Sequence, residues 1–341
     1  MRLTAPFDKG AKDKGAKDEG AKDEGRGVCE KYHLPFRRGM CIVEAENFRK
    51  EIQRMKGIIL AAGKGTRMYP MTLPVCKPLL PVYDKPLIYY PLAALLEAGI
   101  RDILIIVPPD EMYSFIKLLG DGSDLGVSLT YRIQKVQRGI ADAFLIGKNF
   151  IGGEGVCLVL GDNIFYGAGL RDCLNRAAAN AAGATVFGCR AADPRPFGVV
   201  EFDGEGKALS IEEKPAHPKS NYIVPGLYFY DGQVTEIAEG LEPSARGELE
   251  ITAVNNAYLE KGALGVVTMG EDVTWHDAGS AENLLLAANA VMRAQRKTGR
   301  QIACLEEIAY DMGYISRGQL REAGESMDKT VYGKYILSLC E

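Results

Sequence analysis

The 341-residue chain carries a formal charge of −4, is 47% hydrophobic and is 25% charged, the balance of a globular protein with chain enough for one large or two modest cores. Slight acidity excludes an extended nucleic-acid-binding surface, so any phosphate affinity must be local, and no run approaches the ~18 apolar residues of a membrane span. Eight cysteines without a C-x-x-C pair and three scattered histidines supply no zinc, histidine-metal or disulfide framework and read as reduced, buried thiols.

Residues 8–27 repeat with a period of five, as in Asp8-Lys9-Gly10-Ala11-Lys12 and Asp13-Lys14-Gly15-Ala16-Lys17. A glycine in each repeat weakens a helix by about 1 kcal/mol relative to alanine, and nothing apolar is available to bury. Residues 1–54 are therefore expected to be a disordered, low-complexity extension, with a short helix near Val43–Arg54. The N-terminus lacks the apolar core of a signal peptide, which together with the thiols predicts a cytoplasmic protein. The folded part is expected to begin at Met55, a natural start that would make residues 1–54 dispensable.

From Met55 onward strands and helices alternate. The first strand, Gly57–Ala61, runs into the turn Gly63-Lys64-Gly65-Thr66-Arg67, and Lys77-Pro78 follows. Glycines at 63 and 65 would allow positive φ and let backbone N–H groups approach phosphate oxygens. Arg67 offers a planar, permanently charged fork and Lys77 a mobile point charge. The set suits a polyphosphate. A dinucleotide fingerprint would need a third glycine where Met68 stands, and a P-loop would need Ser or Thr where Gly65 follows Lys64.

Further strands are expected at Ile103–Val107, Ser128–Ile133, Val156–Leu160 and Ala184–Cys189. Helices are expected between them at Pro86–Ala98, Met112–Leu119, Ile140–Gly147 and Leu170–Ala181. Near-continuous apolar strands separated by helices predict an α/β fold, doubly wound, with a mainly parallel sheet. Asp162 ends a buried strand, and ligands gather at the carboxyl ends of such strands. Asp277, in Trp275-His276-Asp277, stands between a possible strand and a helix. Two carboxylates converging on a polyphosphate would suit Mg²⁺, whereas each alone would equally serve as a turn or N-cap aspartate.

After Gly198 the pattern turns antiparallel, with strands Gly198–Phe202, Ala208–Glu213 and Tyr222–Tyr230 and an Asp203-Gly204 turn. Carboxylate, amide and tyrosine groups here suit a polyhydroxylated sugar, with Lys214 available for its phosphate. Helices follow near Gly247–Lys261 and Ala281–Arg296. Residues 55–298 are expected to form the main domain and 299–341 a small, mainly helical C-terminal segment that supports packing or oligomer contacts.

The ordered set Gly63-Lys64-Gly65-Thr66-Arg67-Met68-Tyr69-Pro70, Lys77-Pro78-Leu79-Leu80-Pro81-Val82-Tyr83-Asp84-Lys85-Pro86, Gly161-Asp162-Asn163, Phe197-Gly198-Val199-Val200-Glu201, Glu212-Glu213-Lys214-Pro215, Arg246-Gly247-Glu248-Leu249-Glu250-Ile251-Thr252 and Trp275-His276-Asp277 resembles the sugar-1-phosphate nucleotidylyltransferases. Within them it is most similar to the branch that joins dTTP to glucose 1-phosphate for deoxysugar and polysaccharide precursors. The resemblance covers residues 55 to about 338.

It implies a nucleotide-binding α/β core with an antiparallel sugar-binding part. It also implies that Gly63, Gly65 and Thr66 wrap the triphosphate, with Arg67 and Lys77 as the catalytic cations. Gln134 and Gly139 would read the base, and Asp162 and Asp277 would hold Mg²⁺. Gly198, Glu213, Lys214 and Val224 would hold the sugar phosphate. The implied partners are dTTP or UTP, glucose 1-phosphate and further copies of the chain in a dimer or tetramer, with no nucleic acid and no membrane. Pro78 stands where the branch usually has glutamine, and Arg138 and Asp142 replace an acid and an amide in the base-reading loop. UTP therefore remains an alternative nucleotide, and an inactive sugar-nucleotide-sensing subunit an alternative of another class.

Overall fold

A computed structural model describes residues 54–180 and 182–341. The expected disordered extension over residues 1–54 and its short helix lie outside the described residues, Arg54 excepted.

The elements in chain order begin with β1 (Lys56–Leu60), the ribbon β2 (Pro81–Val82) and β3 (Lys85–Pro86), α1 (Tyr89–Glu97), β4 (Asp102–Val107), α2 (Met112–Leu119) and β5 (Ser128–Ile133). Next come α3 (Asp142–Ile146), α4 (Lys148–Ile151), β6 (Val156–Leu160), β7 (Asn163–Tyr166), α5 (Leu170–Ala178), β8 (Ala184–Arg190), β9 (Gly198–Phe202) and β10 (Ala208–Glu213). The chain continues through β11 (Tyr222–Val224), β12 (Leu227–Tyr230), α6 (Val234–Glu239), α7 (Ile251–Glu260), β13 (Leu264–Thr268), β14 (Thr274–Asp277) and α8 (Ala281–Thr298). Three helices close it: α9 (Leu305–Asp311), α10 (Arg317–Ser326) and α11 (Val331–Ser338).

One large mixed sheet runs β10-β9-β11-β8-β12-β6-β1-β4-β5, and β13 pairs with β8. Its half nearer the N-terminus is parallel: β1 lies between β4 and β6, and β4 pairs with β5. Alternation along these strands supplies two cores. Ile59, Ile103, Ile105, Cys157 and Val159 face one layer with α1 residues such as Leu92 and Leu95. Ile58, Leu104, Ile106, Val156 and Leu158 face the other, with Phe144 of α3 and Tyr258 of α7. Strands covered on both faces read as unbroken apolar runs, which is why the sequence exposes them so clearly. Leu305, Ile308, Leu320 and Ile336 of the last three helices join the first core, so the chain's final stretch packs on the same layer as α1.

Several expected boundaries move because backbone groups are used elsewhere. The helix expected from Pro86 starts at Tyr89, since Leu87 N–H donates to Leu80 and Ile88 N–H to Pro78, closing the β2–β3 ribbon. The helix expected from Gly247 starts at Ile251, because Leu249 N–H donates to the Arg138 carbonyl. The helix expected over Ile140–Gly147 is the shorter α3, Asp142–Ile146, and Gly147 caps it and separates it from α4. The helix expected to reach Ala181 ends at Ala178, and Ala181 lies outside the described residues. The single strand expected over Tyr222–Tyr230 is two, parted by Pro225-Gly226.

None of the described cysteines forms a disulfide. Among the described residues no helix is long and apolar enough to cross a membrane.

Candidate active site

The crevice begins at the break between β11 and β12. Both segments run antiparallel to β8, but Ile223 lies opposite Cys189 and Tyr228 opposite Val186, so the spine carries two more residues than β8 across this interval. On its other edge β11 pairs with β9 while β12 pairs with β6. The carboxyl end of β6 and the first residue of β9 therefore part company around Val224-Pro225-Gly226. Gly226 fits because its backbone presses against β6: a Cβ there would meet Leu160 Cδ1 at 2.6 Å, while Leu160 N–H donates to its carbonyl at 2.9 Å. The resulting cavity holds about 480 Å³.

On one side stands the glycine turn. Positive φ is found at Gly65 (62°), where Thr72 Oγ1 donates to its carbonyl at 2.7 Å, and not at Gly63, which corrects the expectation for that residue. Gly63 instead faces open space, with no atom within 4 Å of where a Cβ would be, so its missing side chain leaves the cavity mouth clear. Arg67 is exposed and lines the cavity, with no ion pair among the described residues. Gly65 and Thr66 shape this turn without lining the cavity.

Lys77 departs from the mobile cation that was expected. It is 8% exposed and its ammonium is bonded to the Asp162 carboxylate. Burial is the largest influence on Asp162 and raises its pKa, but the Lys77 charge, with hydrogen bonds from Lys77 and Asn163, brings it below the ordinary carboxylate value.

Asp277 reaches the same place through the β7–β14 ribbon, which sets it opposite Asn163, while Ala278 N–H donates to the Asp162 carbonyl at 2.9 Å. Burial and then the negative charge of Asp162 push the Asp277 carboxyl up, against the pull of Lys77 and Arg67. Two carboxylates brought together beside this cavity fit a magnesium ion, which takes oxygen ligands and fills its remaining positions with water and substrate phosphate. No group of three or more His, Cys, Asp or Glu side chains with metal-site geometry occurs among the described residues.

Asn163 ties the halves together. Its amide donates to Asp162 Oδ1 at 2.9 Å, and its carbonyl accepts from Gly226 N–H at 3.0 Å and from Trp275 Nε1 at 2.6 Å. Trp275 in turn packs edge-on against Phe197, ring centroids 5.5 Å apart, beside Gly198.

Gln134 and Gly139 line the cavity on the glycine-turn side, and Gln137 Nε2 donates to the Ala62 carbonyl at 2.7 Å, pinning this loop to the glycine turn. Across the crevice lie Gly198, Glu213, Lys214 and Val224. Glu213 Oε2 accepts from Thr252 Oγ1 at 2.7 Å, and a Cβ at Gly198 would stand 3.5 Å from that same oxygen, so the glycine keeps the carboxylate accessible.

Lys214 sits at φ 45°, a left-handed conformation that costs a non-glycine residue of order 1 kcal/mol, while its N–H donates to the Phe197 carbonyl. Asparagine tolerates that conformation better. Lys214→Asn is therefore expected to leave thermal stability equal or higher while raising KM for an anionic sugar substrate about tenfold. Steady-state kinetics and a melting curve check both, and an unchanged KM would remove Lys214 from substrate binding.

Of the residues expected to act in catalysis, substrate binding or metal binding, all except Gly65 and Thr66 line this one cavity, whereas Arg138 and Asp142 of the same loop as Gln134 do not. Sequence reasoning missed Asn163, Gln137, Arg246 and Trp275 as neighbours of the site. Three of these sit inside or beside motifs already recognised: Asn163 next to Asp162, Trp275 two before Asp277, and Arg246 opening Arg246-Gly247-Glu248.

The nucleotidyl transferase family model matches residues 56–294. A glucose-1-phosphate thymidylyltransferase of Neisseria gonorrhoeae is 54% identical over 285 residues, which cover 84% of this chain and 99% of that protein. One from Mycobacterium tuberculosis is 52% identical over 287 residues, with 84% and 99% coverage. Among solved structures, a Bacillus anthracis protein described as a glucose-1-phosphate thymidylyltransferase superposes with a TM-score of 0.64 at 42% identity, covering 69% of this chain and 94% of its own. A UDP-glucose pyrophosphorylase holding UDP-glucose gives 0.62 at 25% identity, covering 70% of this chain and 99% of its own. The fold, the crevice and these likenesses together place the chain in the nucleotidyl transferase family.

Proposed function

We propose that this chain is a glucose-1-phosphate thymidylyltransferase, converting dTTP and glucose 1-phosphate into dTDP-glucose and pyrophosphate. One observation carries the reading: Gly63 and Arg67 of the glycine turn, Glu213 and Lys214 from the antiparallel part, and the carboxylates Asp162 and Asp277 all line one crevice. The relatives that are more than half identical, named as thymidylyltransferases, support the choice of thymidine nucleotide and glucose 1-phosphate.

The reaction is an in-line displacement. A phosphate oxygen of the sugar phosphate forms a bond to the nucleotide's α-phosphorus as the bond to the β-phosphate oxygen breaks, and pyrophosphate leaves with the electron pair. That oxygen is already ionised at neutral pH, so no general base is required. Rate comes from alignment and from charge stabilisation. Arg67 would meet the triphosphate at the glycine turn, and Lys77 would share its charge between Asp162 and a phosphate. Glu213 would accept hydrogen bonds from sugar hydroxyls, and Lys214 would hold the sugar's own phosphate. Asp162 and Asp277 would bind magnesium, which supplies neutralisation of phosphate charge when bound.

A second reading, UTP in place of dTTP, is favoured by Pro78, which lines the cavity without any side-chain hydrogen-bonding group. One methyl separates the two bases, worth about 1–3 kcal/mol of discrimination. The inactive sensing subunit has less support, since Arg67, Lys77, Asp162 and Asp277 all meet at the crevice. Exposed Leu285 and Leu286 on α8 support association with further copies of the chain, and the unpaired thiols among the described residues support a cytoplasmic location.

Pyrophosphate release with glucose 1-phosphate and Mg²⁺, comparing dTTP with UTP at equal concentration, tests the assignment. Preference for dTTP is expected. Preference for UTP would establish the second reading, and release with neither would overturn both.

A further inference from the structure

The nucleotide wall of the crevice has a polarity that is set from behind. Gln134, 6% exposed, lines the cavity just after β5, and its backbone N–H donates to the Val107 carbonyl at 3.0 Å. Behind it Asp142, 1% exposed, opens α3. Gln134 Nε2 donates to Asp142 Oδ2 at 2.8 Å, and the Arg138 guanidinium donates to Asp142 Oδ1 at 2.6 Å.

The two ends of a side-chain amide are nearly alike in shape, so which end meets a ligand depends on what the other end meets. An ion-paired carboxylate accepts hydrogen bonds and donates none. It takes the NH₂ end of Gln134 and leaves Oε1 for the crevice. An Arg–Asp pair at i,i+4 with its guanidinium half exposed adds little stability on its own. Here, however, the carboxylate end is buried and gives its second oxygen to Gln134.

We propose that Asp142, held by Arg138, is a positioning residue that fixes the Gln134 amide with its carbonyl toward the base, so that the site takes a base presenting a ring N–H. The proposal rests on the reading of this crevice as a pyrimidine nucleotide site. Thymine and uracil carry that N–H on the imide nitrogen. Cytosine has a lone pair there, and two acceptors facing each other in a dry wall cost about tenfold to a hundredfold in affinity. The device excludes cytidine nucleotides and is indifferent to the methyl that separates thymine from uracil.

Nucleotide binding to the full chain by titration calorimetry, with initial rates of pyrophosphate release, tests it. The wild type is expected to bind dTTP at least about tenfold more tightly than dCTP, and equal binding would overturn the proposal without any variant. In Asp142→Asn, Arg138 keeps the amide oxygen, so the new NH₂ faces Gln134, which turns its own amide round. The dTTP-over-dCTP ratio is then expected to fall about tenfold to a hundredfold, with KM for glucose 1-phosphate within about twofold.

Adding Arg138→Glu to Asp142→Asn draws that NH₂ away, returns an acceptor to Gln134 and restores the preference. A merely structural role would lower rates with both nucleotides alike and would not be rescued by the second change. An unchanged ratio in the single variant, or a double variant no better than the single, would overturn the proposal. Binding of neither nucleotide by the wild type would overturn the underlying reading and this one with it, a result distinct from a lost preference.

Discussion

Arg67→Ala is expected to lower turnover by about 10²–10³-fold, or about 3 kcal/mol of transition-state stabilisation, with little change in melting temperature. The two parts follow from the same fact. The guanidinium lies exposed at the cavity mouth with no ion pair among the described residues, so the folded protein gains little from it. It is nonetheless near enough to pull the Asp277 carboxyl down against burial and the charge of Asp162. If the glycine turn meets the triphosphate as proposed, this positive charge acts in the reaction and not in folding. Steady-state pyrophosphate release on the purified variant checks it, and turnover within a few-fold of wild type would remove Arg67 from the catalytic set.

For Asp277→Asn a loss of similar size, about 10²–10³-fold, is expected together with a gain in stability. The signs are separable. The Asp277 carboxyl has its pKa raised in the fold by burial and by Asp162, so ionising it costs folding free energy. That cost is absent below the unfolded carboxylate pKa, grows as pH rises towards the raised folded value and persists above it.

The asparagine variant therefore melts higher than wild type near neutral pH, and the difference vanishes in acid. Asp162 behaves oppositely: its folded pKa is depressed, so the stability it contributes is present above the unfolded pKa and is lost as pH falls through the folded one. Paired melting curves at neutral and acid pH, measured without magnesium, decide the matter. A wild type more stable than Asp277→Asn at neutral pH would show that the carboxylate is not held against its neighbour's charge. Added magnesium is expected to raise the melting temperature of the wild type and not of the variant.

What the sequence made legible was whatever is local or periodic. Val156–Leu160 and Ser128–Ile133 are continuous β-forming runs, and they appear as strands with the expected bounds. Asp162 was readable because it ends such a run. The state of Lys77 was not readable, since its partner lies 85 residues further on and only the sheet brings them together. Asp277 was named beside Asp162 from the sequence, but the ribbon pairing β14 with β7 that delivers it there was not readable. Pro225 did carry a signal that went unused: a proline inside an otherwise good strand removes a ladder donor and marks a break. In this chain that break opens the crevice.

The spine of β11 and β12 acts as a jig. Its two segments grip the two halves of the crevice through backbone hydrogen bonds, β9 to one and β6 to the other, so the gap between the two workpieces is fixed by main-chain spacing. Side-chain substitutions can change what each jaw holds without changing how far apart the jaws stand. A change of length cannot be so confined. Deleting one residue at Pro225-Gly226 would turn every side chain of β12 to the opposite face of the sheet, moving Tyr228 and Tyr230 out of their core and misaligning the jaws at once. Variation in the molecules this fold joins is thus open to substitution and closed to insertion at that point.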